Sequence, residues 1–304
     1  MDYKKIRTSI GRFFARVGLH FCLFIIKLTP PCCLYGFAKG IALLAYRFAS
    51  KQRNIALASL EIAFGKEKSA QELDHIARDC FIYMAKSAIE LMYLMNKPKV
   101  LKERVKFVGV QHLDNALAKG KGVILVSAHF GNFPLLLGKL SLEGYKSAGI
   151  MRQMRDLKVE DIFLKMRNRF RIKTIYAQPR NVCVNSTIES LRNNEAVFIP
   201  IDQNFGSAGV FVDFFGVKAA TATGPVVLTQ RTKAALLPCF IIRQGDDMHN
   251  IVFEPEMALE EGTNSQETVL INIQKLTTII ESYIRRYPAE WGWIHRRWKS
   301  KPAI

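Results

Sequence analysis

Cysteine is scarce: six residues among 304. None sits in a CxxC or Cys/His spacing, which argues against a disulfide scaffold or a structural zinc site. Cys32 and Cys33 are adjacent, and Cys22, Cys80, Cys183 and Cys239 are scattered through apolar stretches. They read as reduced thiols facing a core or a membrane, which favours a cytoplasmic compartment for the bulk of the chain. No apolar run reaches about 18 residues without a charge, so no segment is an unambiguous membrane span. No small-residue cleavage site follows the first apolar run, which argues against a removable signal peptide. No Gly-Lys-Ser/Thr closes a glycine loop, which excludes a P-loop. Repeats, low-complexity tracts and Gly/Ser-rich linkers are also missing, and the one candidate boundary lies near Pro98.

Acid is in short supply as well. Asp+Glu number 26 against 44 Lys+Arg, a formal net charge of +18. That excess calls for an acidic partner: nucleic acid, an anionic membrane, or an acidic substrate or carrier protein. With 49% hydrophobic and 23% charged residues the chain is globular, and it is long enough for one large domain or two small ones with a sizeable core.

Basic and apolar features coincide at the N-terminus. Lys4, Lys5, Arg7, Arg12 and Arg16 precede an apolar run from Val17 to Leu28, broken by His20 and Lys27. A second run from Cys32 to Phe48 follows Pro30-Pro31 and is broken by Lys39 and Arg47. Two membrane readings follow. The first run spans the bilayer, or the pair forms a helical hairpin in the interface with basic side chains among the head groups. The plain alternative is two amphipathic core helices. Residues 1–50 are thus expected to be membrane-anchoring helices, and 51–304 an α/β domain with a helical lead-in over 51–98.

Within that lead-in, Ile55, Leu57, Leu60, Ile62 and Phe64 read as the apolar stripe of one helix, and Cys80 to Met95 as another. Strands are predicted at Gly122–Ser127, Ala148–Met151, Ala196–Ile201, Leu236–Ile242 and Asn250–Glu254. Helices are predicted between and beyond them, near 133–142, 156–170, 183–193, 222–233 and 266–286. The alternation argues an α/β fold, a mostly parallel sheet flanked by helices, with its chemistry in loops at the carboxyl ends of strands.

Three loops carry polar chemistry. In the first, His129 follows a buried strand; Gly131 permits a tight turn, Asn132 can cap the next helix and Pro134 fits its first turn. Backbone N–H groups there can hold an oxyanion while the imidazole removes a hydroxyl proton. The plain alternative is a hydrogen-bonded turn histidine. In the second, Asp202 ends a strand and opens the glycine loop that runs to Gly216, with Thr221 to Pro225 opening another helix; a structural turn is the alternative. The third, Trp291-Gly-Trp293-Ile-His295-Arg296-Arg297-Trp298-Lys299, holds every tryptophan of the chain. It suits a membrane interface, a phosphate-bearing ligand or single-stranded nucleic acid. A further basic series holds Arg152, Arg155, Lys158, Lys165, Arg167, Arg169 and Arg171. Arg167 and Arg169 lie about 200° apart around a helix, so only one can enter a given pocket.

His129-Phe-Gly-Asn132, the Asp202-Gln203 glycine loop with Val210-Phe-Val212 and Phe214-Phe-Gly216, the following Ala219-Ala-Thr221-Ala-Thr223-Gly224, and the end His295-Arg-Arg-Trp-Lys299 together resemble the bacterial late (lipid A biosynthesis) acyltransferase family, in order over roughly residues 10–300. The resemblance implies a glycerolipid-acyltransferase-like fold at the bacterial inner membrane, with the catalytic domain cytoplasmic. It implies transfer of a fatty acyl chain from acyl carrier protein or acyl-CoA to a hydroxyl of an anionic glycolipid acceptor, with no metal or bound cofactor. By motif match His129 is the catalytic base, Asp202 the glycine-loop acid and Arg167 a functional arginine. Gly131 and Asn132 flank the oxyanion, and Arg152, Arg169, His295, Arg296 and Arg297 are candidates for acceptor binding. One position departs. The family pattern is His, four residues, then Glu or Asp, and here that position is Pro134. His129 then acts alone or is oriented by Asp202, or the acceptor is more reactive, or the chain is a non-catalytic or altered lipid-binding homologue. A thioesterase with water as acceptor and a nucleic-acid binder are the competing classes; the second leaves the N-terminal runs unexplained.

Overall fold

The computed structural model describes residues 13, 16–18, 21–26 and 28–302. Lys4, Lys5, Arg7, Arg12 and Lys27, charges read from the first segment, and His20, which interrupts its apolar run, lie outside the described residues. Residues 21–26 are helical, and three helices follow: α1 (Pro31–Phe48), α2 (Ser50–Phe64) and α3 (Ala70–Leu94). A capping box starts α3, with the Ser69 side chain accepting from the Glu72 N–H and Glu72 accepting from the Ser69 N–H, which satisfies two donors at that end. Among the described residues no helix is long and apolar enough to cross a membrane, so the spanning reading of the first run finds no support there.

The remainder alternates strand and helix: α4 (Pro98–Arg104), β1 (Val105–Val108), α5 (Val110–Ala118), β2 (Val123–Ser127), α6 (Phe133–Leu142), β3 (Ser147–Met151), α7 (Leu157–Arg169), β4 (Lys173–Tyr176), α8 (Arg180–Arg192), β5 (Ala196–Pro200), β6 (Val210–Phe214), β7 (Val217–Thr221), α9 (Gly224–Thr232), β8 (Ala235–Arg243), β9 (His249–Phe253) and α10 (Ser265–Arg286). Seven strands form one sheet in the order β1-β9-β8-β2-β5-β3-β4. Every pairing is parallel except β8 with β9. The expected mostly parallel sheet flanked by helices is therefore present. The continuously apolar β2 is buried along its whole length between β8 and β5, as a strand covered on both faces requires.

Beyond the short elements α4, β1, α5 and β4, which the sequence reading did not include, two features differ from it. The second half of the expected glycine loop is a hairpin, β6 paired antiparallel with β7 around Phe215-Gly216. Its Val-Phe-Val-Asp-Phe alternation is a strand pattern. The buried face of α2 is Ala56, Ser59, Leu60, Ala63 and Phe64, which follows the 3.6-residue period; Ile62, read as part of the stripe, is exposed. β2 and β5 are paired in register from Val123–Ala196 to Ser127–Pro200. His129 and Asp202 each lie two residues beyond those matched ends. Adjacent strands are about 4.8 Å apart, so the topology alone brings the two loops side by side.

Leu60→Ala should cost about 2–5 kcal/mol, whereas Ile62→Ala on the same helix should stay within about 0.5 kcal/mol. Denaturant unfolding of both variants checks which face of α2 is the core face.

Candidate active site

The imidazole of His129 is held from below. Its Nδ1 lies 2.8 Å from Asp202 Oδ1. A carboxylate can only accept, so Nδ1 carries the hydrogen and Nε2 is left as the basic nitrogen. The side chain of His129 is 34% exposed and that of Asp202 2%, which places the carboxylate beneath the ring and leaves a ring edge open. Asp202 Oδ2 accepts a second bond, from Trp291 Nε1 at 2.8 Å. Burial pushes the Asp202 carboxyl up, but the His129 charge and the bonds from His129 and Trp291 outweigh it and hold the group below its usual range. Burial pushes His129 down, and the Asp202 carboxylate more than reverses this, so its pKa is raised above the ordinary 6.5.

The turn after His129 is fixed from three sides. Gly131 donates its N–H to the Glu290 carbonyl at 2.9 Å, and Phe130 bridges Trp291. At φ +55° Gly131 presses on the backbone of β8, where a Cβ would collide with the Ile241 carbonyl. Asn132 does not cap α6. Its amide instead donates to the Ser87 carbonyl and to Glu90 Oε2, at 3.0 and 3.1 Å. Glu90 is the hub of a buried charge cluster. It takes both Arg243 guanidinium nitrogens at 2.5 and 2.6 Å, the Tyr35 hydroxyl at 3.0 Å, and has His249 Nε2 at 3.2 Å. Burial pushes its carboxyl up, but His249 and Arg243 hold it well below the usual carboxylate range. Because the Gly131 N–H is already engaged, it is not free to hold an oxyanion, which corrects that expectation.

His129 opens on a cavity of about 440 Å³, within the range of ligand sites. One wall is α3, through Tyr83, Met84, Ser87, Ala88 and Leu91; the loops contribute Phe133, Pro134, Gln203, Ile294 and His295. His295, expected to bind substrate, is thus in the cavity. Its Nδ1 is buried without a hydrogen-bond partner in the structure, and burial lowers its pKa. Glu290 lines the same cavity. Burial pushes its carboxyl up to about 7, against the pull of the Arg243 N–H and charge.

The arginines divide. Arg152 is exposed at the end of β3, and Arg296 is exposed beside His295. Arg297 is 1% exposed, and it donates to the Gln203 and Ala220 carbonyls and to Thr221 Oγ1. It braces the Asp202 loop against β7 instead of meeting substrate. Arg167 pairs with Glu160 at 2.5 Å and donates to Thr174, and Arg169 donates to the Met95 carbonyl and Asn96. Neither lines the cavity. Trp291, Trp293 and Trp298 are all buried, packed around Phe214 and Phe215, so they form core and not a membrane or ligand surface. Sequence reasoning missed Trp291 as the donor to Asp202, Glu290, the Glu90 cluster and the α3 wall. Met84, Ala88 and Leu91, at i, i+4 and i+7, carried the signal for that wall. Among the described residues no group of three or more His, Cys, Asp or Glu could hold a metal ion.

The family model described as bacterial lipid A biosynthesis acyltransferase matches residues 4–300. The lipid A biosynthesis palmitoleoyltransferase of Escherichia coli (strain K12) is 28% identical over 285 residues, covering 90% of this chain and 87% of that protein. The lipid A biosynthesis lauroyltransferase of the same strain is 26% identical over 287 residues, 92% of this chain and 90% of that protein. A phosphatidylinositol mannoside acyltransferase of Mycobacterium tuberculosis (strain CDC 1551 / Oshkosh) is 26% identical over 206 residues, 67% of this chain and 63% of that protein.

The raised Glu290 carboxyl has a measurable consequence. The folded protein binds this proton more tightly than the unfolded chain, so the contribution is full below the ordinary 4.5 and is lost as pH rises through about 7. Thermal melts from about pH 5 to pH 8 should show wild type losing stability relative to Glu290→Gln as pH rises.

Proposed function

The chain belongs to the bacterial lipid A biosynthesis acyltransferase family and is an acyltransferase, and we propose that it moves a fatty acyl group from an acyl thioester to a hydroxyl of a lipid A precursor or a related glycolipid. Acyl carrier protein or acyl-CoA is the donor. The observation that carries this reading is the His129–Asp202 pair at 2.8 Å, with its free ring edge on a largely apolar cavity.

In this mechanism Nε2 of His129 takes the proton of the acceptor hydroxyl, and the oxygen attacks the thioester carbonyl. The C–O bond forms and a tetrahedral oxyanion results. Asp202 stabilises the imidazolium and keeps the ring in its working tautomer. The oxyanion is assigned to the amino end of α6 beyond Gly131, where the Phe133 N–H and the helix dipole favour negative charge; Pro134 has no N–H, and that of Leu135 is engaged by the Asn132 carbonyl. Collapse breaks the C–S bond, and the thiolate takes the proton back from Nε2. The acyl chain lies along α3. Arg152, exposed after β3, and Arg296, exposed next to His295 in sequence, are assigned to acceptor phosphates as bidentate donors, and His295, which lines the cavity, to orienting the acceptor. Arg167, Arg169 and Arg297 support the framework.

Pro134 motivated the altered-homologue alternative, because no carboxylate follows His129 at the family spacing. The Asp202 carboxylate on Nδ1 supports assigning that orienting role to Asp202. We place the enzyme at the bacterial inner membrane with its catalytic domain on the cytoplasmic side and residues 1–50 as its interfacial anchor. Exposed Phe21, Phe24, Leu28, Phe37 and Leu44 support the interfacial anchor.

Acyl transfer is to be followed by mass spectrometry of the lipid product, with acyl carrier protein and acyl-CoA as separate donors. Asp202→Asn should lower kcat/KM by about 10³–10⁴-fold. The wild-type rate should rise with pH through a midpoint above 6.5, because the raised His129 must lose its proton to act as base. Wild-type rates in His129→Ala would refute the assignment, and free fatty acid without acylated lipid would point to a thioesterase.

A further inference from the structure

The helix that walls the active site also walls a second cavity. Arg78, toward the amino end of α3, lies about 13 Å along its axis from Ser87. There a space of about 330 Å³ is lined by Leu43, Tyr46, Arg47, Arg53, Asp74 and Arg78. Three guanidiniums thus face one carboxylate. Asp74 is largely engaged: it takes the Tyr46 hydroxyl at 2.5 Å, and Arg78 Nη2 stands 3.8 Å from its other oxygen. Arg53 and Arg78 both hang over the buried Tyr46 ring, 5.7 and 5.9 Å from its centre, and Arg53 donates to the Tyr46 and Arg47 carbonyls. Arg47 has no carboxylate within ion-pair distance among the described residues. The ring and the backbone bonds therefore pre-organise clustered positive charge that the protein itself does not neutralise.

Beside this cavity α1 presents an apolar stripe to solvent. Phe37, Ile41, Leu44 and Phe48 are 42%, 42%, 60% and 74% exposed. Their spacing of i, i+4, i+7 and i+11 puts them on one face, and Arg47 falls on its flank, between stripe and cavity. Apolar surface of this kind marks a lipid or partner contact.

We propose that this cavity is a head-group site for an anionic membrane phospholipid, its phosphate held by Arg47, Arg53 and Arg78 and its acyl chains lying along the α1 stripe. Planar guanidiniums suit phosphate oxygens two at a time. Only a ligand with an attached hydrocarbon uses both the charge and the stripe, which selects a lipid over a soluble phosphate. A zwitterionic lipid would bring an ammonium group into the same positive field and is disfavoured. The site stands apart from the acyl-transfer reading and does not depend on it.

The test is flotation of the full chain, delivered from detergent, with vesicles of phosphatidylcholine alone or with phosphatidylglycerol. Wild type should partition preferentially to the phosphatidylglycerol vesicles. The double variant Arg47→Lys/Arg78→Lys keeps the net charge but loses the planar donors, and it should lose at least about fivefold of that preference, on the order of one net hydrogen bond to the phosphate. Both side chains are exposed, so the change does not open the core. Lys121→Gln/Arg231→Gln, which removes two exposed cations elsewhere, should keep more of the preference than the charge-conserving pair does. If the Lys variant partitions like wild type, the attraction is bulk electrostatics and the site is refuted. It is refuted equally if wild type ignores phosphatidylglycerol, or if inorganic phosphate binds the protein and abolishes the preference.

Discussion

Burying the Asp202 carboxylate under the His129 ring constrains nearly everything around it. A charge in apolar surroundings persists only when it is paired and hydrogen-bonded, and Asp202 has two donors, one on each oxygen. The first bond fixes the tautomer and tilt of the His129 ring. The second requires Trp291 to lie inside, and with it the aromatic packing of Trp293, Trp298, Phe214 and Phe215. Arg297 follows the same logic: it is buried to tie the loop after Asp202 to β7. The C-terminal segment is therefore the inner wall of the site, built to hold one carboxylate.

A second charge cluster holds the other side of the turn. Glu90 gathers Arg243, His249, Tyr35 and Asn132, so one carboxylate on α3 joins the sheet, the N-terminal helix α1 and the residue three positions after His129. Breaking such a buried set by removing one member typically costs about 3–5 kcal/mol. The family spacing would put a carboxylate on the α6 side of the histidine. In this chain Pro134 sits in the first turn of the helix, and the carboxylate on His129 comes from the neighbouring strand's loop.

The parallel sheet was readable because its central strands are short, continuous apolar runs bounded by turn residues, as at Gly122–Ser127 and Ala196–Ile201. His129 and Asp202 were readable as polar residues directly after such runs. Their contact was not, because it depends on which strands are neighbours, and strand order is not written in local pattern. β6 and β7 were hidden by the glycines around them, and β1 and β4 by their length of four residues each. Trp291 and Arg297 misled for a different reason. Aromatic and basic residues interleaved in sequence look like a surface, yet each indole N–H here has an acceptor within the protein, which is what lets a tryptophan go inside.

The most direct test is a pH titration of the His129 ring by histidine-selective NMR, in wild type and in Asp202→Asn. The account predicts hydrogen on Nδ1 in the neutral ring and a midpoint above the ordinary 6.5 in wild type, falling when Asp202 loses its charge. A neutral ring carrying its hydrogen on Nε2, or a wild-type midpoint at or below 6.5 that ignores the substitution, would contradict it.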